Sequence, residues 1–179
     1  DHPPHGALGY VVAAGEILEQ AKAMDLKLDR IVIASGSAAT HGGTLFGLRA
    51  FGSDLPVSGI CVRRAAELQA PRVFKTCGAI AELLGCANPV NEADVEVSDA
   101  YIGPGYGQTD AGTHEAIRLA ARNEALVLDP VYTGKTMAGM IGLVRDGSIG
   151  AGDNALFIHT GGTPAVFAYA NDLEPVLAQ

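Results

Sequence analysis

The order of strand-like and helix-like segments is the feature that most limits the fold of this chain. Short apolar runs rich in β-branched residues, such as residues 30–35, alternate with longer stretches that carry apolar residues at the helical period, such as residues 6–24. A strand of a parallel sheet is covered on both faces, and each connection between parallel strands needs a helix of this length. The alternation therefore predicts an α/β fold, a three-layer αβα domain with a mainly parallel sheet.

The predicted elements run along the whole chain, with no internal repeat, low-complexity tract or long linker between them. Predicted strands lie at residues 30–35, 56–62, 95–102, 125–132 and 154–159. Predicted helices lie at residues 6–24, 40–51, 65–84, 113–123 and 135–145. Pro71 falls inside the third helix, where it lacks the N–H for a helical hydrogen bond, and is expected to split it. Residues 1–179 are accordingly predicted to form one domain.

Composition and charge narrow the classes of partner. Twenty acidic residues against twelve basic ones, with no basic cluster beyond Arg63 and Arg64, argue against nucleic acid and an anionic membrane surface. No apolar run reaches the roughly 18 residues of a membrane span, and the start of the chain lacks a signal-peptide layout, so a cytoplasmic location is expected. The three cysteines have no CxxC spacing, which predicts buried thiols and no disulfide framework or metal site.

Residues 35–43, SGSAATHGG, are nearly all small and lie between a predicted strand and a predicted helix. Small side chains let the main chain approach a ligand closely, and the N–H groups at a helix N-terminus bind anions. Ser37 and Thr40 add hydroxyl groups. The stretch matches neither GxxxxGK[ST] nor GxGxxG, so it predicts a phosphate cradle of another kind. A tight turn that only permits close packing is the alternative.

Two tyrosines lie in further loops of small residues. Tyr106 belongs to the stretch GPGYGQ and Tyr132 to the stretch DPVYTGK. A phenol in such a place can stack or transfer a proton, or it can be an ordinary half-buried amphipathic residue. Lys135 is expected in solvent in the first turn of a helix, and His41 is interpreted as a packing or supporting residue. Ligands of parallel sheets bind beyond the carboxyl ends of the strands, and small-residue loops follow three predicted strands there: SGSAATHGG (35–43), YTG (132–134) and TGGTPA (160–165).

Taken in chain order, these stretches resemble the C-terminal half of the D-cysteine desulfhydrase and 1-aminocyclopropane-1-carboxylate deaminase family, pyridoxal-phosphate enzymes of the tryptophan-synthase-β type. The matching stretches are GALGYV (6–11), SGSAATHGG (35–43), GPGYG (103–107), LDPVYTGKTMAGMIGLV (128–144) and LFIHTGGTPAVFAY (156–169). They keep the family's order and spacing over nearly the whole chain. The resemblance implies part of the pyridoxal-phosphate fold type II and pyridoxal 5′-phosphate as the cofactor.

The resemblance also implies roles for single residues. Cofactor-binding roles fall on Ser37, Ala38, Ala39, Thr40, Thr133, Thr160 and Gly161. Within this set, the backbone N–H groups of residues 37–40 hold the phosphate, and Thr160 and Gly161 form a wall beside the ring. Tyr106 and Tyr132 match two active-site tyrosines and are the candidate catalytic residues, for proton transfer or for substrate positioning.

Thr133 bears on the substrate that the resemblance implies. The deaminases carry a glutamate at this place, facing the pyridine nitrogen, whereas the desulfhydrases carry threonine. A neutral hydroxyl leaves the ring a weaker electron sink than a carboxylate does. Thr133 therefore favours β-elimination of sulfide from D-cysteine, which gives pyruvate and ammonia. An L-cysteate sulfo-lyase or a 1-aminocyclopropane-1-carboxylate deaminase remains an alternative for the intact enzyme, and a catalytically inactive cofactor-domain fragment is an alternative of another class.

One feature of the family has no counterpart in this sequence. Proteins of the family are about twice as long, and their Schiff-base lysine lies in the N-terminal half, in a context that no lysine here shares. The chain is therefore expected to be a fragment, or one part of a split protein, and to be inactive alone. The expected partners are a small amino-acid substrate, the missing half or a partner chain, and a second copy in a homodimer.

Overall fold

A computed structural model describes residues 4–178 of the chain. Its strands are β1 (Arg30–Ser35), β2 (Val57–Cys61), β3 (Glu96–Ser98) and β4 (Ala155–Phe157). Its α-helices are α1 (His5–Ala23), α2 (Ala39–Ala50), α3 (Ala66–Leu84), α4 (Ala111–Glu124), α5 (Thr133–Arg145), α6 (Ala165–Ala168) and α7 (Ala170–Leu177). A short 3-10 turn, Glu92–Asp94, precedes β3.

All four strands are parallel and pair in the order β3-β2-β1-β4. Ile31 of the central strand β1 lies opposite Val57 of β2 on one side and opposite Leu156 of β4 on the other. Because the strands are parallel, the loops that leave their carboxyl ends emerge at one edge of the sheet. The small-residue loops after β1 and β4 are therefore neighbours at that edge.

Helices cover both faces of the sheet. Ile31 and Ile33 of β1 are buried in a core with Leu45 of α2, whereas Val32 packs with Met140 of α5. Successive side chains of a strand point to opposite faces, so this alternation places the sheet between two helical layers. The predicted three-layer αβα fold with a parallel sheet is confirmed.

The strand predicted at residues 125–132 is wrong. Ala125 is the left-handed residue that ends α4 (φ 54°), and an irregular segment leads from there to α5. Leu128 packs into a small core against α4. The Asp129 carboxylate accepts hydrogen bonds from the N–H groups of Val131 and Tyr132, both at 2.8 Å. The apolar run therefore ends in a helix cap and has no strand partner.

Pro71 does not split α3, contrary to the prediction, because the helix is continuous from Ala66 to Leu84. Pro71 is exposed and lies in the second helical turn. The carbonyl group that loses its helical partner belongs to Glu67, which is exposed as well, so water can replace the missing N–H. Burial of Val73 holds the rest of the helix against the core.

The structure also places the three cysteines and adds two helices near the end of the chain. Cys61 and Cys77 are buried thiols as predicted, whereas Cys86 is exposed, beyond the end of α3. The short helices α6 and α7 lie in a region for which the sequence predicts no helix. Within residues 4–178, no helix has the length and apolarity needed to cross a bilayer. Across the same residues, no group of three or more His, Cys, Asp or Glu side chains could hold a metal ion.

Helices α1 and α2 approach each other closely at Gly47. A Cβ atom there would lie 2.6 Å from the Val11 carbonyl oxygen and 2.7 Å from Ala14 Cβ. We expect Gly47→Ala to lower the free energy of unfolding by about 1–3 kcal/mol, the usual cost of overpacking. Gly78→Ala, where a Cβ meets nothing within 4 Å, should raise it by about 0.5–1 kcal/mol. Urea denaturation measures both, and effects of the same sign would contradict this account.

Candidate functional site

A cavity of about 220 Å³ lies at the carboxyl edge of the sheet, between the end of β1 and the segment after β4. Its lining residues are Tyr10, Ala34, Gly36, Ser37, Ala38, Thr40, Tyr132, Thr160, Gly161 and Gly162. Most of them are Gly, Ala, Ser or Thr, and none of them is acidic or basic. Such a lining offers a ligand backbone groups and hydroxyl groups instead of side-chain charge.

Most of the residues predicted for the site meet at this cavity. Ser37, Ala38, Thr40, Tyr132, Thr160 and Gly161 line it. Ala39, the first residue of α2, lies beside the cavity. Tyr106 does not line the cavity, but its hydroxyl group is hydrogen-bonded to that of Tyr132, which does. The sequence reasoning did not single out Tyr10, although a phenol within the apolar stretch GALGYV was an available signal.

The start of α2 supplies N–H groups to the cavity. Ala38 has a left-handed backbone conformation (φ 76°, ψ −13°), and α2 begins at the next residue. The first bond along the helix runs from Gly42 N–H to the Ala38 carbonyl oxygen. N–H groups before that point have no helical partner, and the helix dipole adds partial positive charge there. The bond from Ala39 N–H to Ser37 Oγ is long, at 3.5 Å, so these groups are suited to an anionic ligand.

Close approach of the backbone shapes the other walls of the cavity. Gly162 has φ 85°, and a Cβ there would lie 2.7 Å from Asp129 Oδ1. Only glycine therefore fits between the cavity and Asp129. Across the cavity, a Cβ on Gly36 would lie 3.5 Å from Cε1 of the Tyr132 ring. The cavity is thus bordered by the Tyr132 ring and by the backbone of two glycines, Gly36 and Gly162.

Tyr106 and Tyr132 meet at the rim of the cavity. A short hydrogen bond joins their hydroxyl groups, and their ring centroids are 5.9 Å apart at an interplanar angle of 78°. The Arg63 guanidinium lies 5.6 Å from the centroid of the Tyr106 ring, within the range of a cation–π interaction. Burial, assisted by the hydrogen bond that Tyr132 shares with Tyr106, raises the pKa of Tyr132 to about 12. Tyr132 is therefore protonated at neutral pH.

Thr133 is buried, and its hydroxyl group is engaged with Asp129. Thr133 Oγ1 donates to Asp129 Oδ1 at 2.7 Å and accepts a hydrogen bond from Asp129 N–H at 2.8 Å. Asp129 also accepts from the N–H groups of Tyr132 and Thr133, so it caps α5 and fixes Tyr132 at its start. Thr133 is not among the lining residues of the cavity, and its position opposite the cofactor ring stays a prediction.

A chain of hydrogen bonds, part-buried at Arg64 and buried at Ser35, lies behind the loop between β1 and α2. Arg64 donates to the Gly36 carbonyl oxygen at 2.6 Å and to Gln69 Oε1 at 2.9 Å. Gln69 Nε2 donates to Ser35 Oγ at 2.8 Å, and Ser35 Oγ lies 3.1 Å from His41 Nδ1. Ser35 can thus donate its own proton to a neutral His41. Burial lowers the pKa of His41 to about 4, which keeps the ring neutral.

Lys135 is fully buried, so the expectation of a solvent-exposed side chain is wrong. Its Nζ donates to the carbonyl oxygens of Ile102 at 2.5 Å and Gly105 at 2.7 Å. The small residues on either side, Gly134 and Thr136, are buried as well. Helix α5 packs closely at these small residues, and this brings the lysine into the interior. The small residues around the lysine were the signal that could have predicted its burial.

Comparisons of sequence identify the relatives of this chain. Residues 2–161 match the family described as "Pyridoxal-phosphate dependent enzyme". The 1-aminocyclopropane-1-carboxylate deaminase of Ralstonia pickettii (strain 12J) is 40% identical over 167 residues, 93% of this chain and 49% of that protein. The D-cysteine desulfhydrase of Yersinia pestis (strain Pestoides F) is 43% identical over 164 residues, 92% of this chain and 49% of that protein. The chain spans about half the length of the curated relatives it matches.

Comparisons of structure agree with those of sequence. A crystal structure described as that of an "ACC deaminase homologue" superimposes with a TM-score of 0.86 at 38% identity, covering 97% of this chain and 51% of that chain. The crystal structure of O-ureido-L-serine synthase gives a TM-score of 0.54 at 16% identity, over 93% of this chain and 50% of that chain. The second similarity shows a shared fold alone.

The buried neutral His41 makes the stability of the fold depend on pH. Its folded pKa of about 4 lies below the ordinary value of 6.5 that it regains in the unfolded chain. Between these values the unfolded chain binds a proton that the folded chain does not bind. We therefore expect the His41 contribution to lower the free energy of unfolding as pH falls through this window, by up to about 1.4 kcal/mol per pH unit.

Urea denaturation at several pH values between 4 and 6.5 measures this dependence. His41→Gln removes the titrating group while all other ionisable residues remain, so the slope of stability against pH should be flatter in the variant. A variant with the slope of the parent chain would show that His41 does not carry the effect.

Proposed function

The chain belongs to the pyridoxal-phosphate dependent enzymes, and from that premise we propose that its cavity binds pyridoxal 5′-phosphate. The observation that carries the proposal is the start of α2, where N–H groups without helical partners face a lining of small residues. A phosphate dianion suits such a place without a cation, because the helix dipole and the N–H groups supply positive partial charge. The proposed phosphate-binding residues are Ser37, Ala38, Ala39 and Thr40.

The remaining predicted residues are proposed to border the cofactor ring. Tyr132, Thr160 and Gly161 line the same cavity, and Asp129 fixes the backbone that carries Tyr132. Thr133 is assigned to the side of the ring nitrogen by resemblance alone. Because its hydroxyl proton is committed to Asp129, Thr133 can accept a hydrogen bond from a neighbouring group but not donate one.

This chain is proposed to bind the cofactor, to orient the substrate and to supply a proton. Pyridoxal phosphate, when bound, supplies an electron sink that stabilises negative charge on the α-carbon of an amino acid. Tyr106 and Tyr132 are proposed to position the substrate or to hand it a proton. With its pKa raised to about 12, Tyr132 keeps its proton at neutral pH and is not the base that removes one from the substrate.

For the whole protein we propose β-elimination of sulfide from D-cysteine, with pyruvate and ammonia as products. Support comes from the similarity to a relative named D-cysteine desulfhydrase and from Thr133, the residue that the resemblance associates with desulfhydrases. A 1-aminocyclopropane-1-carboxylate deaminase is the second candidate, because other relatives and a similar solved structure carry that name. A homodimer is proposed from the resemblance alone.

We further propose that the lysine that carries the cofactor lies outside this chain. The cavity has no lysine among its lining residues in the part of the chain that the structure describes. Lys135, close to Tyr132 in sequence, is held instead by two loop carbonyl groups. On this proposal the chain binds the cofactor by its phosphate but does not complete a reaction alone.

A charge at Ser37 tests the phosphate site. Ser37 is exposed and lines the cavity, so Ser37→Glu adds a carboxylate beside the proposed phosphate without disturbing the core. Ser37→Gln introduces a side chain of the same shape without the charge. The dissociation constant for pyridoxine 5′-phosphate should be at least about tenfold higher in Ser37→Glu than in Ser37→Gln. This ligand lacks the aldehyde and cannot react with surface lysines. Isothermal titration calorimetry measures both affinities, with pyridoxine as the control ligand, and equal affinities would argue against the proposed phosphate site.

The substrate is tested on the longest protein that contains this chain. Supplied with pyridoxal phosphate, that protein should release sulfide and pyruvate from D-cysteine faster than it releases sulfite from L-cysteate or 2-oxobutanoate from 1-aminocyclopropane-1-carboxylate. The 179-residue chain alone should turn over none of the three. Turnover by the chain alone, with a borohydride-reduced adduct mapped by mass spectrometry to one of its lysines, would place the cofactor-carrying lysine inside it.

A further inference from the structure

The segment that carries Tyr106 has no helix or strand of its own. Residues 99–110, between β3 and α4, consist of turns and irregular chain, and Tyr106 is 49% exposed. Two local backbone hydrogen bonds in this segment, donated by Ile102 and Gln108, are both long at 3.2 Å. Neither bond involves Tyr106 itself. The hydrogen bond between Tyr106 and Tyr132 therefore needs support from outside the loop.

The side chains of Lys135 and Tyr169 anchor the loop on either side of Tyr106. Lys135 of α5 donates from Nζ to the carbonyl oxygens of Ile102 at 2.5 Å and Gly105 at 2.7 Å, just before the tyrosine. The hydroxyl group of Tyr169, next to α7, donates to the carbonyl oxygen of Gly107, just after Tyr106, at 2.7 Å. Three loop carbonyl groups are thus fixed within a few residues of Tyr106.

Lys135 is placed to set the distance between the two tyrosines. Tyr132 precedes the first turn of α5 and Lys135 lies within it, so one capped helix end carries both the partner of Tyr106 and the anchor of its loop. Asp129 holds this helix end through the Tyr132 and Thr133 N–H groups. A shift of the loop relative to α5 would separate the two hydroxyl groups.

Burial of the Lys135 ammonium costs desolvation free energy, which an apolar side chain filling the same space would not cost. Loss of water lowers the pKa of Lys135, and the nearby charge of Asp110 opposes that change. An apolar side chain of similar length would fill the same space without removing a charge from water. What the ammonium adds is the pair of charge-assisted hydrogen bonds to the loop carbonyl groups.

We propose that Lys135 is a positioning residue, which fixes the carbonyl groups of Ile102 and Gly105 so that the Tyr106 hydroxyl meets Tyr132 at the rim of the cavity. Lys135 is not a lining residue of the cavity, so it acts through the loop and not on a ligand. The inference rests on the proposed function only where it treats the tyrosine pair as part of an active site. The positioning itself requires no cofactor.

Tyrosine labelled with ¹³C at Cζ tests this inference in the cofactor-free chain, which has only five tyrosines. The Tyr132 resonance, assigned by its loss in Tyr132→Phe, senses the hydrogen bond to Tyr106. Lys135→Met should shift the Tyr132 resonance to the chemical shift that it has in Tyr106→Phe. The double variant, which carries both Lys135→Met and Tyr106→Phe, should show no further shift. Lys27→Met makes the same change at a side chain that is 85% exposed and should leave the resonance in place.

Lys135→Gln is the second variant, in case Lys135→Met does not fold by circular dichroism. Glutamine is uncharged and too short to hold both carbonyl groups, so the same shift is expected. An unshifted Tyr132 resonance in either folded variant overturns the inference, as does a shift that adds to that of Tyr106→Phe. Because these spectra are recorded without cofactor, they are independent of the Ser37 binding measurements, whose failure would bear on the proposed function alone.

Discussion

The N–H groups at the start of α2 constrain the rest of the candidate site. They face the cavity because Ala38, just after β1, has a left-handed conformation with φ 76°. That conformation costs a residue with a Cβ roughly 1–2 kcal/mol, and it brings the first turn of the helix directly against the end of the strand. Only small side chains fit around such a turn. An anion bound by these N–H groups would offset part of the cost, which links the composition of the loop to its proposed ligand.

Three buried polar groups hold this arrangement, and each meets the cost of burial in a different way. His41 stays neutral, with a pKa lowered to about 4 by burial, and lies against Ser35 behind the loop between β1 and α2. Asp129 is surrounded by N–H groups and the Thr133 hydroxyl at the start of α5. Lys135 faces carbonyl dipoles. Asp129 and Lys135 each connect α5 to an irregular segment, whereas His41 joins α2 to the end of β1, so each of the three fixes one boundary of the cavity region.

The sequence predicted the parts of the structure that local pattern determines. The apolar run at residues 30–35 has the length and β-branched content of a buried parallel strand, and it forms the centre of the sheet. The run at residues 125–132 has a similar composition, but Asp129 takes up the N–H groups that a strand would need. The small residues beside Lys135 are compatible with its burial, but the carbonyl groups that satisfy its charge lie about thirty residues away in the chain, where the local pattern does not reveal them. Such errors arise where a distant segment, and not the local pattern, supplies the partner.

The raised pKa of Tyr132 bears on which group removes the α-proton in the proposed reaction. A phenol with a pKa of about 12 keeps its proton at neutral pH, so Tyr132 is not suited to taking a proton. Removal of a proton from the α-carbon of an amino acid needs a base whose pKa is near the working pH. The cavity lining described by the structure contains no His, Lys, Asp or Glu, and the neutral ring of His41 is directed at Ser35. The base is therefore expected from a group outside this lining, which supports the proposal that the cofactor-carrying lysine lies elsewhere and leaves this chain with binding and protonation.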